Sequence, residues 1–246
     1  MAAVMYVSTA DGNGADTSLQ NDGQNGGTSA TVFGAGETAD FRRYDDVRQK
    51  MLLLRFDISD LDPAAYNDAI LRLDGYSNRG RDLRVYGIAD GALDNWDEAT
   101  TSYANAPGIL QPGDGGPAYD LAGFDFQNFS QMFLPPGNPP VPAAYPLGLM
   151  PVEDTDPTPG YKPFVSNPTD LPLGDFLAAD TNGIVSFLIH HDITHTSHTG
   201  NIRTKESGAY QAPMLGIVPP NFIPEPSSYA LVLLGIGAVG MIVRRR

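Results

Sequence analysis

Short apolar runs of period two constrain this chain more than any other feature. Between Met51 and Ile58, Leu52, Leu54, Phe56 and Ile58 share one face while Arg55 and Asp57 take the other. Ala69, Leu71 and Leu73 alternate with Arg72 and Asp74, and Leu83 and Val85 flank Arg84. Successive side chains of a strand point to opposite faces, so this alternation predicts half-buried strands. Asp62-Pro63, Ser77-Asn78-Arg79-Gly80 and Asp90-Gly91 break the runs. Ile184–Ile189, Asn201–Lys205 and Ala212–Val218 carry further strand signals, and long helical periodicity is confined to the C-terminal tail. The pattern predicts an all-β chain, an antiparallel sandwich rather than βαβ units.

The 246 residues divide by composition. Residues 1–14 read as a leader remnant or a disordered stretch, 15–218 as the β domain, 219–223 as a linker and 224–246 as a tail. Ala15 to about Gly36 is a polar, Gly-rich lead-in to the strands. Most of the 21 prolines fall in an insertion at about 108–172, where Pro135-Pro136-Gly137-Asn138-Pro139-Pro140-Val141-Pro142 is no central strand. Phe124, Phe126, Phe129, Met132 and Phe133 favour an ordered insertion packed on the sandwich; a flexible excursion is the alternative.

Charge and cysteine content exclude several functions. With 29 acidic and 15 basic side chains the net charge is −14, which argues against a nucleic-acid partner, since phosphate contacts need clustered Lys and Arg. The absence of cysteine removes disulfide scaffolds, cysteine nucleophiles and thiolate metal sites.

The tail reads Pro224-Glu225-Pro226-Ser227-Ser228, an uncharged run from Tyr229 to Val243, and Arg244-Arg245-Arg246. At ~1.5 Å per residue the run spans ~22 Å as a helix, short of the ~30 Å hydrocarbon core. Three arginines cannot follow it into a protein core, whereas a short membrane helix with its basic end in the cytoplasm satisfies the positive-inside bias. This order resembles the PEP-CTERM sorting signal of exported Gram-negative bacterial proteins. The resemblance implies recognition of Pro224, Glu225 and Pro226 by an exosortase-type membrane protease, with Arg244, Arg245 and Arg246 as the membrane stop. It implies transient residence in the inner membrane through helix 229–243, then the cell surface or the extracellular space. Such tails are sometimes labelled an ice-binding C-terminal domain, but the body shows no regular Thr-x-Thr rows for ordering water. Met1–Val7 is too short for an export signal and lacks a basic side chain. The expectation is therefore a misassigned start or a signal already removed.

The body resembles DNRLRE-type domains, related to a carbohydrate-binding-module family. The likeness rests on Arg48–Ser59, on Ala69–Leu73 with Val85–Ile88, on Asn95-Trp96-Asp97-Glu98-Ala99-Thr100 with Asn105-Ala106-Pro107, and on Thr204–Ser207 with Ala212–Leu215. It implies a jelly-roll-like antiparallel β-sandwich on secreted or surface proteins, often beside matrix or polysaccharide-active partners. The long insertion departs from that pattern.

Candidate sites are few. The four histidines cluster at His190, His191, His195 and His198, with Asp192 among them. Imidazole and carboxylate can hold a transition metal, so His191, His195 and His198 are metal candidates, although a solvated hairpin loop is the favoured reading. Asp11-Gly12-Asn13-Gly14-Ala15-Asp16 faintly resembles a calcium loop but lacks its closing acid. The expectation is no cofactor, with structural calcium as the minor alternative. Trp96, the single tryptophan, is a candidate sugar platform, with Tyr76, Tyr86 and Tyr103 behind it; anchoring in the core or a loop is favoured. No motif selects two carboxylates for glycoside hydrolysis. The leading expectation is a non-enzymatic exported protein with a structural or adhesive role. The alternatives are a carbohydrate-binding module for an exopolysaccharide and, less favoured, a polysaccharide hydrolase or lyase.

Overall fold

A computed structural model describes residues 5–20, 30–43, 49–77, 82–88, 93–107, 144–152, 161–191, 198–208 and 211–217, with Gly80, Asp90 and Gly91. The strands are β1 (Tyr6–Ser8), β2 (Ala15–Gln20), β3 (Thr38–Arg43), β4 (Gln49–Asp57), β5 (Ile70–Ser77), β6 (Leu83–Ile88), β7 (Ala144–Met150), β8 (Lys162–Val165), β9 (Ile184–His191), β10 (His198–Arg203) and β11 (Met214–Gly216). One short helix, α1 (Gly174–Ala178), precedes β9, and 3-10 turns lie at Pro63–Ala65 and Lys205–Ser207. All pairings between these strands are antiparallel.

The strands form one curled sheet in the order β1-β11-β5-β10-β3-β4-β9-β6-β7, with β2 also paired to β4 and β8 to β5. The β4–β9 ladder is central, running from Leu52 opposite Ile189 to Asp57 opposite Ile184. Its alternation sends Leu52, Leu54, Phe56, Val185, Phe187 and Ile189 into the main core. Phe56 and Phe187 meet edge to face with centroids 5.8 Å apart. Burial of each such side chain contributes about 1.5–3 kcal/mol.

The opposite face of the same strands is covered too. Met51, Leu53 and Leu188 join Ala15, Leu19, Tyr86, Ile88, Trp96, Tyr103 and Ala106 in a second core. The uninterrupted run Met51-Leu52-Leu53-Leu54 is thus apolar because β4 is buried on both sides, as the residues after Asp94 fold back over Arg55. The half-buried strand predicted from Arg55 and Asp57 holds only for the end of β4.

Two boundaries differ from the sequence reading. Tyr6–Ser8, inside the stretch taken as leader or disordered, pair with Gly216–Met214 as β1. Such a strand has too few residues to show periodicity. The supposed insertion also supplies sheet strands, β7 along β6 and β8 along β5. Among the described residues, Pro146 in β7 and Pro163 in β8 sit on strands that are each paired on one side, the position in a sheet where proline is tolerated. Pro146 lies opposite Tyr86, at a register shift between Val85 and Tyr86. Residues 108–143, including the phenylalanine-rich and proline-rich runs, lie outside the described residues, as do 218–246. Among the described residues no helix is long and apolar enough to cross a membrane. The predicted membrane helix 229–243, Pro224, Glu225, Pro226, Arg244, Arg245 and Arg246 are not among them.

Candidate functional site

Two groups of three carboxylates stand out, each with oxygens within 4.8 Å of one another: Asp16, Glu98 and Glu206, and Asp90, Asp94 and Asp180. Neither follows from proximity in sequence.

Asp16 comes from β2, whose six residues are all buried, and is itself 0% exposed. Its Oδ2 accepts from the Thr9 hydroxyl and from the Lys205 backbone N–H at 3.1 Å. Glu98 arrives from the turn after Trp96, and its Oε2 accepts from the Lys205 ammonium, which also donates to the Gly14 carbonyl at 3.3 Å. Glu206 is the exposed member, carried on the 3-10 turn Lys205–Ser207. Gly34 lets Glu98 pass, since a Cβ there would lie 2.3 Å from Glu98 Cγ. Nearby, Thr204 Oγ1 donates to Gly36 O at 2.6 Å, so the segment before β3 is bound to the same corner. Desolvation pushes the Asp16 carboxyl up to about 7, with the Glu206 and Glu98 charges adding to it and the Thr9 and Lys205 hydrogen bonds opposing it. Burial also raises Glu98, against the pull of Lys205.

The second trio is built around the turn into β9. Asp90 Oδ2 accepts from Thr181 N at 3.1 Å and from its hydroxyl, and Asp180 Oδ2 accepts from Gly183 N at 2.6 Å. Asp94, 1% exposed, accepts from Asn182 Nδ2 through both oxygens at 3.3 and 3.2 Å. Burial raises both Asp94 and Asp180. Beside this trio lies a cavity of about 360 Å³ lined by Ile88, Leu147, Phe176, Ile184, Asp90 and Asp180 among others. Helix α1 delivers Phe176, which tilts against Phe187 at 5.4 Å.

Trp96 sits between the trios. It is 7% exposed, and its Nε1 donates to Ser186 Oγ at 3.0 Å. The Arg55 guanidinium lies 5.1 Å from the ring centre and donates to the Trp96 carbonyl. These contacts occupy the indole N–H and one ring face. Tyr86 and Tyr103 are buried as well, while Tyr76 is half-buried opposite Asn201.

The histidines divide. His190 and His191 are strand residues of β9, not part of a solvated loop: both are buried, with His190 stacked on Tyr86 and His191 edge-on to Phe41. The ring Nδ1 of His190 lies 2.6 Å from the His191 carbonyl. The apolar run Ile184–Ile189 simply continues through them, and that continuity was the available signal. Asp192 and His195 lie outside the described residues, and of His198 only the backbone, opening β10 opposite Arg43, is described. The suggested calcium loop separates: Asp11 Oδ2 accepts from Ser8 N and Oγ, closing a local turn, while Asp16 points to Glu98 and Glu206. Sequence reasoning missed Glu98 and Glu206 as Asp16's neighbours, because nothing local links positions so far apart.

No curated protein matches the chain. Residues 222–246 match the PEP-CTERM protein-sorting motif, so this tail marks a protein processed by an exosortase, itself a membrane protein, and sorted to the cell surface.

Proposed function

We propose that the exported body is non-enzymatic and serves the cell surface or extracellular matrix in a structural or adhesive role. The single observation that carries this reading is a surface-sorting motif at 222–246 following a body whose regular structure, among the described residues, is almost all antiparallel sheet. The likeness of Arg48–Ser59 and Asn95–Thr100 to DNRLRE-type domains supports it. In this reading the tail inserts briefly in the inner membrane, the arginines hold it there, and cleavage near Pro224-Glu225-Pro226 releases the body. Fractionation of the native bacterium, with mass spectrometry of both termini, tests it. The unaltered protein is expected at the surface without its arginines, and a P224A/E225A/P226A variant in the inner membrane. Unchanged release of that variant contradicts the sorting route.

A second reading, a carbohydrate-binding module for an exopolysaccharide, is favoured by the cavity beside Phe176. Sugars suit such a site because apolar and aromatic walls meet C–H faces while carboxylates accept from hydroxyls. Asp90 and Asp180 line it, but each commits one oxygen to backbone N–H groups of the turn before β9, which suits a fixed binding wall better than proton transfer. Retention on the producer's own polysaccharide, lost on Phe176→Ala, supports this reading; no retention removes it. Release of oligosaccharides in the same incubation overturns the non-enzymatic assignment.

A further inference from the structure

We propose that the Asp16–Glu98–Glu206 cluster is a calcium site that fastens β2, the turn after Trp96 and the 3-10 turn after β10 to one another. When ionised, the three carboxylates outnumber the ammonium of Lys205 that pairs with Glu98, so this corner favours a cation. The hydrogen bonds account for only part of the oxygen set. Asp16 Oδ2 faces Thr9 and the Lys205 N–H, and Glu98 Oε2 faces the Lys205 ammonium. Asp16 Oδ1 and Glu98 Oε1 are both sealed from solvent and make no well-formed hydrogen bond among the described residues, with the Asp16 backbone N–H facing the Glu98 carboxyl. Asp16 is 0% exposed, so no bulk water reaches that oxygen. A buried carboxylate oxygen without a donor is costly, and a hard cation is the species that satisfies several such oxygens at once.

The donor set selects the ion. All three side chains offer carboxylate oxygen, which suits calcium or magnesium over metals that prefer nitrogen and sulfur. The oxygens come from three separate segments, an irregular arrangement that calcium tolerates and magnesium does not. Glu206, exposed on its 3-10 turn, provides the entry side. The other trio shows this signature more weakly. Asp94 turns both oxygens to Asn182, and Asp180 Oδ1 is one sealed oxygen without a partner among the described residues, on a half-buried residue, against two at the first trio with one of them on the fully buried Asp16. That trio therefore serves as the control.

The test strips the full chain with a chelator and titrates it with calcium chloride and, separately, magnesium chloride, following thermal unfolding and binding heat. The expected result is one ion per chain. A hundredfold excess over Kd should raise Tm by roughly 5–10 °C, with a smaller effect of magnesium. Glu206→Gln, a surface change compatible with folding, should weaken calcium binding by at least about tenfold, and Asp16→Asn should do the same. Asp180→Asn should leave binding unchanged. Absence of any calcium-dependent shift overturns the proposal, as does a calcium affinity left unchanged by Glu206→Gln or lost with Asp180→Asn. Equal stabilisation by magnesium overturns the choice of calcium.

Discussion

The two acidic trios have similar spacing and opposite construction. Asp90, Asp94 and Asp180 are each held by the residues of one turn: Thr181, Asn182 and Gly183 donate to them in succession. Asp16, Glu98 and Glu206 come from three segments far apart in the chain, and among the described residues their side-chain donors are Thr9 and Lys205. The first trio braces the turn before β9, beside a cavity, with Asp90 and Asp94 reaching it from a distant segment. The second is a tertiary knot, in which two sealed oxygens make no well-formed hydrogen bond among the described residues. Similar residue types therefore do different physical work according to how many of their oxygens are met by donors.

Trp96 connects the two, because Ser186 Oγ, which receives its indole N–H, lies 3.4 Å from the Asp94 carbonyl, and Glu98 follows two residues on. The largest effect is expected there. Trp96→Ala should destabilise the fold by about 3–5 kcal/mol through the lost burial and the cavity left behind. Urea unfolding measures this, and a change below about 1 kcal/mol would separate the trios.

The next effect distinguishes the knot by pH. In a chelator, the raised Asp16 pKa means the folded chain keeps that proton where the unfolded chain has lost it. Stability should therefore fall as pH rises from about 4 to about 7 and level off above, the sign expected when the native state binds more protons. The raised Glu98, Asp94 and Asp180 act in the same direction, while the lowered Asp57 opposes them. Asp16→Asn should flatten the slope; urea midpoints at pH 5 and pH 7.5, unchanged by that substitution, would assign the slope to other groups. The smallest effect belongs to the turn. Asp90→Asn keeps an acceptor for Thr181 and should cost no more than about 1 kcal/mol, so a loss as large as that of Trp96→Ala would make the turn trio the critical one.

Much of the sheet was legible. Leu52, Leu54 and Phe56 alternate as a strand must, and β4, β5, β6 and β9 lie where that alternation placed them. β1, β7 and β8 were not legible, because three or four residues carry no period and prolines mask edge strands. Of the candidate sites, the anchoring of Trp96 was the favoured reading and its burial agrees with it, whereas the histidines on β9 became core residues once the strand ran past Ile189. The acidic knot was invisible because Asp16, Glu98 and Glu206 meet only after the strands pair.

By itself, the chain's residue order determined an antiparallel β body, set by side-chain alternation, and an address, set by a local motif at 222–246. Both are short-range properties, which neighbouring residues decide. Which face of β4 is covered, which edge accepts β7 and β8, and which three carboxylates share one corner were decided only by tertiary structure. The physical reason is that burial and like-charge proximity depend on distances through space, and folding brings together groups that the chain keeps far apart.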